Sequence, residues 1–217
     1  LLVAAVDREW VQRAGLTSLT ADNIAAVLEA VLERGGEGTE ELTGVLLSQA
    51  ADFGQGATLA APLRNLMQRV SSAPERVNFP AVSEVVRSVL GGSEGATLRE
   101  DAELRRAIEA ARTVVSGVAW NPQAEPQQRA GCVGFLDAAG ADPASLAELL
   151  QPQVPLEVQQ AAAAVISRRG AEATVSGLLQ RFSGLSPAVR VEVVDGMLSR
   201  VAAVDWLLTG LEGGVIS

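Results

Sequence analysis

The stretch from Pro126 to Gly213 states nearly the same pattern three times. Leu146, Leu149 and Leu150 recur 29 residues on as Val175, Leu178 and Leu179, and after another 29 as Val204, Leu207 and Leu208. Phe182 and Leu211 keep one offset within their copies. Ahead of each of these segments lies another that opens on proline, at Pro126, Pro155 and Pro187. Its apolar stripe repeats too: Phe135 and Leu136 are answered by Val165 and Ile166, then by Met197 and Leu198. Ser167-Arg168 returns 32 residues later as Ser199-Arg200. A period of about 30 residues with two amphipathic segments per copy is the signature of an α-solenoid. One short helix pair cannot cover its own apolar face, so neighbours must stack to close the core.

Spacing and end signals mark the segments as helices. Val175, Leu178, Leu179 and Phe182 sit at i, i+3, i+4 and i+7, which puts all four on one face; Val204, Leu207, Leu208 and Leu211 do the same. Proline suits the first helical position, where its missing N–H has no intrahelical partner. Gly170 and Gly184 fall where helices should stop. No window here alternates with period two, so no strand is expected.

Towards the N-terminus the grammar is looser. Helices are expected from Leu1 to Ala14 on Val3, Val6, Trp10 and Val11, from Ala21 to Glu33 on Ile24, Val27, Leu28 and Val31, and from Thr39 on Leu42, Val45 and Leu46, closed by Phe53. A fourth covers Ala57 to Val70 with Leu59, Leu63, Leu66, Met67 and Val70 inward. Pro80 opens a fifth on Val82, Val85, Val86, Val89 and Leu90, which Gly91-Gly92 ends. Thr97 and Glu100 read as a capping box for the longest helix, running to about Ser116 on Leu104, Ile108, Ala111 and Val115. The charged run from Arg99 to Arg112 is expected as a solvated face laced with pairs such as Arg105 and Glu109. Trp120-Asn121-Pro122 turns the chain before the clear repeats. Trp10, Trp120 and Trp206 are read as core or inter-repeat contacts. The expectation is an all-α, right-handed solenoid of about six HEAT-like (armadillo-like) hairpins. It forms a single domain over 1–217, degenerate in 1–123 and regular in 124–217.

Composition narrows function. The chain has no His, Lys or Tyr, so all 17 basic residues are Arg. That leaves no Ser-His-Asp or Cys-His system, no His-ligated zinc, no Cys-x-x-Cys-His haem attachment, no Schiff-base lysine and no P-loop lysine within the chain. Adjacent carboxylates at Glu40-Glu41 and Glu100-Asp101 point about 100° apart on a helix, so neither pair faces one substrate. No catalytic, cofactor-binding or metal-binding residue is therefore expected here. A net charge of −9 argues against a nucleic-acid partner. It suits a basic protein surface instead, with Asp101, Glu103 and Glu157 as candidate contacts. Cys132 is alone, at the register position of Ala162, and reads as a small core residue. No apolar run is long enough to span a membrane. Leu1 to Val6 lacks the basic stretch of a signal peptide, and the chain opens in mid-helix, like a piece of something longer.

Pro155-Leu-Glu-Val-Gln-Gln-Ala-Ala, Leu185-Ser-Pro-Ala-Val-Arg, Met197-Leu-Ser-Arg and Trp206-Leu-Leu-Thr-Gly-Leu-Glu-Gly-Gly-Val give the region from Ala124 to Val215 a family texture. It resembles the HEAT-repeat region of planctomycete-type membrane-bound dehydrogenase, or haem-binding, proteins. The resemblance implies a six-bladed propeller similar to sugar dehydrogenases ahead of this module and a c-type cytochrome after it. It further implies an extracytoplasmic, periplasmic setting, with protein domains as partners in cis or in trans. Neither a propeller nor a Cys-x-x-Cys-His lies in these 217 residues, so no family site residue maps onto this chain. Haem would belong to the parent protein. The reading is a non-catalytic spacer and protein-interaction scaffold, with a free-standing HEAT-like adaptor as the alternative.

Overall fold

The computed structural model describes residues 56–92 and 95–212. The helices expected over 1–14, over 21–33 and from Thr39 lie outside the described residues, as do Glu40 and Glu41. Every regular element among the described residues is helical, so the protein is all-α there. The chain divides into two compact units between Val115 and Ser116.

In the first unit, α1 (Gly56–Ser72) buries Leu63, Leu66, Met67 and Val70 of the predicted stripe, the Leu59 side chain lying outside the described residues. A short 3-10 turn, Pro74–Arg76, leads to α2 (Phe79–Gly91). The Asn78 side chain accepts the Ala81 N–H at 3.4 Å and so starts α2 one residue ahead of Pro80. Phe79 is buried along with the five expected aliphatic residues. α3 (Gly95–Glu100) packs against α1 and α2, and the Arg99 guanidinium donates to the Leu90 carbonyl at the end of α2.

One expectation fails in this unit. Thr97 does not open the longest helix: it lies exposed in the middle of α3, and a separate helix, α4 (Ala102–Trp120), begins after it. Asp101 makes the break. Its carboxylate accepts the Leu104 N–H at 2.8 Å and its carbonyl accepts the Arg105 N–H at 3.0 Å, so Asp101 is the N-cap of α4. An ionised aspartate at a helix start also meets the positive end of the dipole, which a threonine hydroxyl cannot match. Asp101→Ala is expected to lower stability by about 1 kcal/mol, whereas Thr97→Ala should change it by a few tenths at most, as read from urea midpoints. Along α4, Leu104, Ala111 and Val115 are buried and Ile108 is half-buried. Glu109 pairs with Arg112 at 2.9 Å, one residue short of the predicted i,i+4 spacing and on the opposite side from Arg105.

The second unit carries the repeat. In chain order it holds α5 (Pro126–Ala138), a 3-10 helix (Pro143–Leu150), α6 (Leu156–Arg169), α7 (Glu172–Gln180), α8 (Pro187–Leu198) and α9 (Val201–Glu212). Pro126 and Pro187 sit in the first turn as predicted, and Pro155 stands one step earlier, as the N-cap of α6. α6 packs against both α5 and α8, while α7 packs against the 3-10 helix, α6 and α9. The segment holding Leu146, Leu149 and Leu150 is 3-10 rather than α. Gln151, which follows it and precedes Pro152, is extended (φ −72°, ψ 147°), as a residue before proline prefers. All three leucines are still buried.

α5 ends in a Schellman turn. Gly140 adopts φ 77°, the Ala141 N–H reaches the Leu136 carbonyl at 2.8 Å, and the Gly140 N–H reaches that of Asp137 at 3.1 Å. α7 stops at Gln180, so Phe182 is not on its last turn as the spacing predicts, but on a 3-10 turn (Phe182–Gly184) that keeps the ring buried. The third copy departs most. Leu207 is buried and Val204 half-buried, but Leu198, Leu208 and Leu211 are exposed, although their register mates Ile166, Leu179 and Phe182 are not. No described helix follows α9 to cover them.

Candidate functional site

The carboxylates singled out in the sequence take separate roles. Asp101 is spent on capping α4. Glu103, two residues on, forms an ion pair with Arg64 of α1. Glu157 is exposed in the first turn of α6, where a negative charge suits the helix dipole. Glu100 ends α3 while Asp101 begins the next helix, so a helix boundary separates that adjacent pair.

What the second unit does bring together is a set of arginines. Asp137 lies in the last turn of α5 with only 4% of its side chain exposed. Two arginines from the end of α6 converge on it: Arg168 Nη2 donates to Oδ2 at 2.9 Å, and Arg169 Nη1 donates to Oδ1 at 2.6 Å and to the Asp137 carbonyl. One hairpin further on, Arg200 Nη1 donates to the Gly170 carbonyl, just past the end of α6, at 2.8 Å. The ends of α5 and α6 are thus each met by guanidiniums from later in the chain. Helix C-termini carry unsatisfied carbonyls and partial negative charge, so cations there are favoured. Arg200 also lies over the Trp206 ring, 5.2 Å from its centroid, which accounts for that tryptophan by local packing.

A second series ties α5 to the last turn of α4, and α6 and α8 to the segments just before them. Arg129 Nε donates to the Ala119 carbonyl at 2.9 Å, Gln159 Nε2 to Val154 at 2.7 Å, and Arg190 to the carbonyls of Leu185 and Ser183 at 3.0 and 2.7 Å. Between α6 and α8 the contact is closer still. Ser167 Oγ bonds the Ala163 carbonyl at 2.7 Å and faces Gly196, where a Cβ would stand 1.9 Å from that oxygen.

These contacts went unread in the sequence, although the recurrence of Ser-Arg at 32 residues is their trace. Their chemistry is structural. The guanidiniums are engaged with carbonyls and a carboxylate, and no group of three or more metal-ligating side chains occurs among the described residues. Cys132 is fully buried on α5, as its register with Ala162 predicts, and burial pushes its thiol from 9.0 up to about 12. Desolvation disfavours the thiolate, so the folded protein holds the neutral form. Folded chain at pH 8 is therefore expected to resist a thiol reagent that labels Cys132 promptly in urea. Because the folded value is raised, the buried thiol leaves stability intact below pH 9 and lowers it as pH rises above 9, where the unfolded thiol ionises and the folded one does not.

Compared with family models, curated proteins and solved structures, the chain matches none of them. No helix among the described residues is long and apolar enough to cross a membrane.

Proposed function

We propose that this chain is a non-catalytic, HEAT-like α-solenoid module that holds other protein domains in fixed relation. What supports the reading is that, in the second unit, α6 packs against both α5 and α8, and arginines reach back to the ends of α5 and α6. A stacked array is stiff along its length and offers an extended surface, which suits positioning. The missing His and Lys point the same way, since most nucleophilic and phosphate-handling templates need them.

The resemblance of Ala124 to Val215 to the HEAT region of propeller and cytochrome c fusion proteins supplies the setting. In that setting the module spaces a sugar-dehydrogenase-like propeller from a haem domain, outside the cytoplasm. Deleting it from the parent should abolish electron transfer to the attached cytochrome while leaving turnover with an artificial acceptor intact. Equal loss of both activities would sink the positioning role. The acidic surface, at −9 overall, keeps the adaptor reading as the second choice, with a basic protein as partner.

A further inference from the structure

We draw no further inference here: the strongest candidate, the exposed aliphatic face formed by Val191 and Leu198 on α8 and by Val201, Leu208 and Leu211 on α9, carries none, because nothing in the structure shows what covers it.

Discussion

Valine at Gly196 is expected to cost about 3 kcal/mol of stability, and alanine about 1 to 2, at a position where helix propensity alone would favour alanine by about 1 kcal/mol. A Cβ there would stand 1.9 Å from Ser167 Oγ and 2.9 Å from Ser167 Cβ. The hydroxyl cannot swing away without giving up its bond to Ala163, so α6 and α8 must part. Propensity and packing thus pull in opposite directions, and packing wins. Gly117, on α4 with nothing within 4 Å of its would-be Cβ, isolates the propensity effect. There alanine should stabilise by about 0.5 to 1 kcal/mol. Urea midpoints of the two alanine variants should move in opposite directions. Adding Ser167→Ala should recover part of the Gly196→Ala loss, because the oxygen is the nearer obstacle. A Gly196→Ala protein as stable as the parent would mean that α6 and α8 do not approach as closely as the structure places them.

The second large effect belongs to Asp137. Removing both guanidiniums, in Arg168→Ala with Arg169→Ala, strips them from a carboxylate with 4% of its side chain exposed and should cost about 3 kcal/mol. Asp137→Ala should cost less, about 2 kcal/mol, since Arg168 and Arg169 are 45% and 39% exposed and can turn to water. The triple variant should therefore be more stable than the double-arginine one. If removing the two arginines costs no more than an ordinary surface change, the clamp does not hold the hairpins together.

The apolar faces of the helices were legible because apolar spacing follows packing. Val175, Leu178 and Leu179 are buried as their period requires, and Cys132 is buried with its register mate Ala162. Side-chain capping was harder to read. Thr97 with Glu100 fits the capping-box pattern, yet Thr97 lies inside α3 and Asp101, at the break between the two helices, takes the cap of α4. The leucine stripe shows which side of Pro143–Leu150 is buried, not whether the helix is α or 3-10. Exposure of Leu198, Leu208 and Leu211 was illegible for another reason: a stripe shows which face wants cover, not whether another helix supplies it. The arginine contacts fall between repeats, where spacing of about 30 residues joins side chains that no local pattern connects.

Intact mass of the endogenous gene product, isolated from its source, tests the central functional claim most directly. The expected mass is far above 22.5 kDa, with covalently attached haem. A product near 22.5 kDa without any adduct would contradict it.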